Sequence, residues 1–128
     1  MTDKALMTLM LYGECRGESQ YGKLCVASTV MNRLYLSEDK GVTWWGNSIK
    51  TIIKAPMQYQ GFVNRDPSEL KNDLSYKECK QVAIAVLDFG VVVPNITHFA
   101  GDNIDLEKLL KLKYCFEVGN HRFYQEEY

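Results

Sequence analysis

The sequence of 128 residues lacks any apolar run near the ~20 residues that are needed to span a bilayer. It also lacks an excess of charge, since 15 Lys and Arg against 16 Asp and Glu leave a formal net charge of -1. Proteins that bind nucleic acid normally have a basic face, so the balance argues against that class. Asp3 offsets Lys4, and cleavage after the first apolar run would split the first predicted helix, so we expect no signal peptide.

Cysteine and histidine are few and are not grouped. None of the four Cys forms a C-x-x-C pair, and three disulfide connectivities are possible if all are bridged. Cys25 and Cys79 lie on predicted apolar helix faces, which favours buried free thiols. His98 and His121 lack the paired spacing of zinc ligands, so we expect no metal and no other cofactor.

A glutamate follows the first apolar stretch. Residues Ala5 to Tyr12 are apolar except for Thr8, which predicts a buried helix capped by Thr2 or Asp3. Glu14 would lie at the negative end of that helix, where the dipole and partial burial both favour the protonated carboxyl. A protonated carboxyl can donate to a leaving oxygen, as glycosidases require. The alternative is a surface Glu14 paired with Arg16 or a lysine.

The remaining periodicity predicts a single α+β domain over residues 1–128, mainly α, with a small β-hairpin near the C-terminus around Gly119-Asn120. A turn at Ser19–Gly22 leads into a helix that ends before a loop at Ser37–Trp45. Further helices are predicted at Ile49–Lys54, near Glu69–Lys71, from a capping box at Ser75–Glu78 to about Phe89, and after Asp105 with Leu106, Leu109 and Leu110 inward. Asn95–Phe99 is predicted as a strand or an extended segment.

Several side chains suit a saccharide. Trp44 and Trp45 cannot face the same side of an extended segment, so one is expected to be exposed and able to stack on a sugar, although tryptophan is more often core. The stretch from Met57 to Phe62 has two amides and a tyrosine that match hydroxyl and N-acetyl groups, but it could equally be a connecting loop. Arg33 could orient a carboxylate or extend to solvent.

The motifs YGECRGES, Val30-Met31-Asn32-Arg33, Gln58 to Phe62, Thr97-His98-Phe99 and VGNHRFY resemble the SleB/CwlJ-type cell wall hydrolases over nearly the whole chain. The resemblance implies a lysozyme-like, mainly helical fold and cleavage of peptidoglycan glycan strands. It implies that Glu14 is the catalytic acid and that Glu18 is a second acid of the site with supporting hydrogen bonds. Expected substrate-binding residues are Gln58, Tyr59, Gln60, Phe62, His98, Asn120 and His121. The chain departs from the family at Cys15 and Ala100, which usually are Ala and His, and at residues 58–62.

The mechanism depends on a second carboxylate. A hydrolase needs one roughly 5 Å away for retention or ~6.5 to 9.5 Å away for inversion, and Glu18, Glu38 and Asp39 are the candidates. Without one, the C6 hydroxyl of the muramic acid can attack and give a 1,6-anhydro product. The resemblance favours this lytic transglycosylase route for the MurNAc to GlcNAc bond.

Two alternatives stay open. One is a zinc-dependent N-acetylmuramoyl-L-alanine amidase with His98, His121 and a Cys or Glu as ligands. The other is a non-catalytic peptidoglycan-binding protein. A lone catalytic domain without an export signal also resembles a phage endolysin, made in the host cytoplasm and acting on the cell wall after release. We expect a monomer whose partner is the peptidoglycan glycan strand, with no nucleic acid and no membrane insertion.

Overall fold

The apolar run near the start of the chain forms a buried helix. The computed structural model describes residues 1–55, 58–62, 64–101 and 112–126. Helix α1 spans Asp3–Cys15, and Thr2 is its N-cap because the Thr2 hydroxyl accepts a hydrogen bond from the Ala5 amide at 3.1 Å. Its core side chains are Leu6, Met7, Leu9, Met10 and Leu11. The prediction for this segment is confirmed.

Helix α2 is longer than predicted and spans Gln20–Lys40. Ser19 caps it, so the predicted turn at residues 19–22 is wrong, and so is the start of the predicted loop at Ser37. The last turn is polar and exposed, which interrupts the apolar pattern without ending the helix. The helix ends at Gly41, which has a φ of 67° and whose amide donates to the Leu36 carbonyl.

The other helices begin at side-chain caps. Helix α3 spans Ile49–Lys54 after Ser48, as predicted, and a 3₁₀ turn spans Pro67–Leu70, slightly before the predicted helix near Glu69. Helix α4 spans Leu74–Asp88. Its cap is Asp73, not the predicted box at Ser75, because the Asp73 carboxylate accepts from the Tyr76 amide at 3.2 Å and thereby starts the helix earlier.

Three strands form one antiparallel sheet in the order β1-β3-β2. Strand β1 is His98–Gly101, β2 is Lys113–Val118 and β3 is His121–Gln125. The predicted hairpin is confirmed, with Gly119 in its turn at a φ of 56°. The predicted helix after Asp105 lies outside the described residues.

The sheet and the helices share one main core, in which Phe123 of β3 is fully buried with α1, α2 and α4. The fold class is therefore confirmed as α+β and mainly helical.

All four cysteines are free thiols, with Cys15, Cys25 and Cys79 buried, and burial raises the pKa of Cys79 to about 11. Among the described residues, no helix has both the length and the apolarity to cross a bilayer.

Candidate active site

Glu14 is half-buried near the C-terminal end of α1, and a loop from elsewhere in the chain holds its carboxyl group. The Gly61 amide donates a hydrogen bond to Glu14 Oε1 at 2.6 Å. A Cβ at Gly61 would lie 2.8 Å from the Gly13 carbonyl oxygen and 3.0 Å from Glu14 Cδ, so the close approach requires glycine. Arg16 does not pair with Glu14, because its guanidinium lies 4.5 Å from the centre of the Tyr12 ring.

Arg33 holds the loop of residues 58–62 in place. It is buried, and its Nη1 donates to Gln58 Oε1 at 3.0 Å while its Nε donates to the Thr97 carbonyl at 2.8 Å. The guanidinium also lies 5.4 Å from the Trp45 ring centre and 5.1 Å from that of Tyr59. Arg33 therefore does not extend to solvent and contacts no carboxylate among the described residues, so neither sequence-based expectation for it is met there. Its side chain connects α2 to this loop and to the start of β1.

The four predicted substrate residues of this loop line an open groove of about 450 Å³. Gln60 is exposed, Gln58 and Phe62 are half-buried, and Tyr59 is buried. The Tyr59 hydroxyl is 2.8 Å from Thr29 Oγ1, and burial raises the pKa of this phenol. The hydroxyl is thus bonded to a buried residue of α2, and this contact fixes the Tyr59 ring in the lining of the groove.

Glu18, in the connection between α1 and α2, forms hydrogen bonds with the turn of the hairpin. Its Oε1 accepts from the Asn120 amide at 2.9 Å, and its Oε2 accepts from Asn120 Nδ2 at 3.0 Å. His121 Nδ1 lies 3.8 Å from Oε1, and only 10% of the Glu18 side chain is exposed. A Cβ at Gly119 would collide with this carboxylate. The structure thus brings Glu18, Asn120 and His121 together, with both Glu18 oxygens engaged.

Lys23 is a residue of this region that sequence reasoning missed. Its side chain is buried, and Nζ donates to the Glu18 carbonyl at 2.9 Å and lies 3.9 Å from Glu78 Oε2. Its position in the sequence could have indicated this role, because Lys23 lies one turn before Ala27 on the apolar face of α2. A charge that is buried there needs polar partners. Lys23 stabilises the backbone that positions Glu18.

The sheet separates the two histidines. His121 is opposite Gly101 and His98 is opposite Tyr124, so the two lie three positions apart along the ladder and on opposite faces. The His121 ring packs against Phe99 with centres 5.2 Å apart. His98 and His121, both predicted to contact substrate, therefore do not converge on one site.

His98 has its own surroundings. Its Nδ1 is 3.0 Å from Thr97 Oγ1, and its ring centre is 6.0 Å from that of Trp45. Burial, and then the positive charge of Arg33, lower the pKa of His98 to about 4. Across the described ranges, no group of three or more His, Cys, Asp or Glu side chains is placed to bind a metal ion. The ligand set that a zinc amidase would need from His98 and His121 is not assembled.

One of the adjacent tryptophans is exposed, as predicted. Trp44 is 63% exposed and Trp45 is 6% exposed. The Trp44 indole donates to Glu126 Oε2 at 3.2 Å, which fixes the exposed ring beside the end of β3.

Comparisons with known proteins agree with this fold. The model of the cell wall hydrolase family matches residues 17–124. The catalytic domain of the germination-specific lytic transglycosylase SleB from Bacillus anthracis is 20% identical, with a TM-score of 0.67 over 96% of this chain and 93% of that one. The SleB catalytic domain of Bacillus cereus is also 20% identical, with a TM-score of 0.66 over 96% of this chain and 89% of that one. No curated protein sequence matches significantly. Since the family model covers most of the sequence, the chain belongs to the cell wall hydrolase family of enzymes.

Proposed function

We propose that the protein cleaves the MurNAc to GlcNAc bond of peptidoglycan as a lytic transglycosylase, with Glu14 as general acid and then general base. The observation that carries this proposal is the half-buried Glu14 carboxyl at the end of a buried helix, held by the Gly61 amide beside a groove. The similar fold of the Bacillus anthracis lytic transglycosylase supports the reaction type.

The hydrogen bond from Gly61 distinguishes the two carboxyl oxygens of Glu14. Oε1 accepts from the amide, whereas Oε2 has no hydrogen-bond partner among the described residues. A protonated carboxyl group has one O–H donor, and an amide donor next to Oε1 favours the proton on Oε2. We therefore assign Oε2 to proton transfer and Oε1 to positioning.

The surroundings of the candidate second carboxylates favour transglycosylation over hydrolysis. Both oxygens of Glu18 accept hydrogen bonds from Asn120 and only 10% of its side chain is exposed, which disfavours Glu18 as the group that activates water or attacks C1. Glu38 and Asp39 are exposed in the last turn of α2, and Glu38 lies roughly 27 Å along the helix axis from the start of α2. The short connection after α1 keeps Glu14 near that start. Glu38 and Asp39 thus lie at the far end of α2 from this connection, which disfavours either as an inverting partner of Glu14, since such a pair is at most ~9.5 Å apart.

The proposed reaction needs no second carboxylate. Glu14 Oε2 gives its proton to the glycosidic oxygen while the bond from this oxygen to C1 of the muramyl residue breaks. The Glu14 carboxylate then takes the proton of the C6 hydroxyl as the C6 oxygen bonds to C1. One C–O bond forms for the one that breaks, water is not consumed, and Glu14 ends protonated. The product carries a 1,6-anhydro end.

Digestion of purified peptidoglycan by the wild type and by Glu14→Gln, with mass spectrometry of the released muropeptides, tests this proposal. We expect 1,6-anhydro ends from the wild type and about 1000-fold slower release by the variant, whose circular dichroism should match the wild type. Reducing ends would mean hydrolysis, and an active Glu14→Gln enzyme would remove Glu14 from the mechanism.

The same digestion separates the two alternatives. An amidase would release peptides with free L-alanine amino groups, and a chelator would stop it. A non-catalytic protein would bind the sacculi and release nothing, with or without the Glu14 carboxyl group.

A further inference from the structure

We propose that Lys54 binds a carboxylate carried by the muramyl residue, so that the groove beside Glu14 selects the muramyl unit over the N-acetylglucosamine unit. This inference rests on the proposed function, because it names a feature of the same substrate. Lys54 was not among the residues that the sequence indicated.

The groove shares a loop with the proposed catalytic carboxyl group. Its lining includes Gln60 and Phe62, which flank Gly61, and the Gly61 amide holds Glu14 Oε1 at 2.6 Å. A ligand that fills the groove of about 450 Å³ therefore contacts the loop that positions Glu14. Lys54 enters the same groove from the last turn of α3.

The charge in the groove has one sign. Lys54 is the cation of the lining, and none of the described residues that line it is acidic. Lys4 pairs with Asp88 at 2.6 Å and Lys23 lies 3.9 Å from Glu78, but Lys54 has no ion pair with a described residue. Lys54 Nζ lies 5.8 Å from the centre of the ring of Phe62, a cation–π contact between two residues of the groove lining.

The neutral lining suits the rest of a sugar. Gln58, Gln60 and Asn64, which have side-chain amides, line the groove together with the half-buried Phe62. Amides of this kind bind hydroxyl and N-acetyl groups, which both peptidoglycan sugars have. Only the muramyl residue adds a lactyl group, whose carboxylate is free in bare strands and is replaced by stem-peptide carboxylates in substituted ones. Lys54 therefore supplies the contact that distinguishes the two sugars.

Binding to insoluble peptidoglycan in the Glu14→Gln background tests the inference without turnover. Three preparations serve as probes: intact sacculi, sacculi stripped of stem peptides by an amidase, and sacculi whose carboxylates are converted to neutral amides with carbodiimide. We expect Lys54→Met to weaken binding to the carboxylate-bearing sacculi about fivefold, which corresponds to about 1 kcal/mol for an exposed charge contact. Lys54→Arg should retain most of the affinity. Lys50→Met, an exposed lysine on the same helix, should have no effect.

The pattern across the three preparations identifies the carboxylate. A loss on stripped strands supports the lactyl group, and a loss on intact sacculi alone supports the stem peptide. An equal loss on the neutral sacculi, or no loss on any, overturns the inference. Cleavage by the wild type is measured separately. If the protein binds through Lys54 but does not cleave peptidoglycan, the proposed function is contradicted. If it cleaves peptidoglycan and the Lys54 substitution does not change binding, only this inference is contradicted.

Discussion

Two glutamates four positions apart, Glu14 and Glu18, have opposite surroundings. Glu14 is half-buried, and a single amide contacts one of its oxygens. Glu18 has both oxygens bonded to Asn120 of the hairpin turn. A carboxylate with both oxygens bonded stabilises a fixed geometry, whereas a group that exchanges a proton with a substrate needs an accessible oxygen. The difference supports the proposed roles, positioning for Glu18 and catalysis for Glu14.

The match to the family model does not choose between the two residues. It begins at Gly17, so it includes Glu18 and does not reach Glu14. The assignment of Glu14 therefore depends on its surroundings, and experiments that treat the two residues alike are the direct way to challenge it.

The largest expected effect is on activity. We expect Glu14→Gln to lower the initial rate of muropeptide release about 1000-fold, within the range for loss of a general acid. Glu18→Gln should cost roughly tenfold, because it weakens positioning and leaves the proton donor in place. Initial rates on the same peptidoglycan preparation measure both. Equal losses, or the reverse order, would contradict the proposed division of roles.

The activity of the Glu14 and Glu18 variants at low pH would also reflect a loss of stability that comes from the protonation of His98. Burial and Arg33 lower the pKa of His98 to about 4, below the 6.5 of a free histidine. The unfolded chain therefore binds more protons between about pH 4 and pH 6.5, and stability falls as the pH falls through this window. The full loss is about 3 kcal/mol. Urea unfolding from pH 7 to pH 4 measures it.

Replacement of the His98 imidazole would allow the pH dependence of activity of the Glu14 and Glu18 variants to be compared without a change in stability. His98→Gln should flatten the pH dependence of the free energy of unfolding, because it removes the titrating group. An unchanged slope would assign the acid sensitivity to other groups. Activity profiles of the Glu14 and Glu18 variants in the His98→Gln background would then report the site without the overlapping unfolding.

Local sequence patterns predicted most helices and the hairpin. The apolar run of α1 and the Gly119-Asn120 turn are encoded within a few residues, so their structure follows from neighbours. The sequence does not predict the last turn of α2, because this turn is polar and exposed and therefore continues the helix without an apolar pattern. The cap of α4 was placed too late because Asp73 satisfies the Tyr76 amide before Ser75 is reached.

The contacts that shape the site join distant parts of the chain. Gly61 lies 47 positions from Glu14, and Asn120 lies 102 positions from Glu18. Arg33 reaches Gln58 and Thr97 on different elements. Periodicity and capping patterns say nothing about pairs at such separations. The sequence therefore indicated the residue types of the site and not which of them are paired.

The contact between Glu18 and Asn120 should be visible in stability. Glu18→Ala removes the acceptor for two donors and should lower the free energy of unfolding by about 2 kcal/mol, since hydrogen bonds to a buried charge contribute strongly. Asn120→Ala removes one donor and should cost about 1 kcal/mol. A double-mutant cycle by urea unfolding measures the coupling. Glu38→Ala, on the exposed end of α2, is the control and should stay within about 0.5 kcal/mol. Additive losses would mean that the two residues do not interact.

The contact between Gly61 and Glu14 can be tested with two glycines. A Cβ at Gly61 would meet the Gly13 carbonyl and Glu14 Cδ, whereas a Cβ at Gly17 would meet nothing within 4 Å. Gly61→Ala should therefore move the loop away from Glu14, with about 1 kcal/mol lost in stability and roughly tenfold in activity, because small misplacement of a catalytic group is costly. Gly17→Ala should change neither. Both substitutions add one methyl group, at Gly61 next to Glu14 in space and at Gly17 three positions from it in sequence, so only the loss of the amide contact predicts different results. Equal rates for the two variants would show that the hydrogen bond from Gly61 does not position the acid.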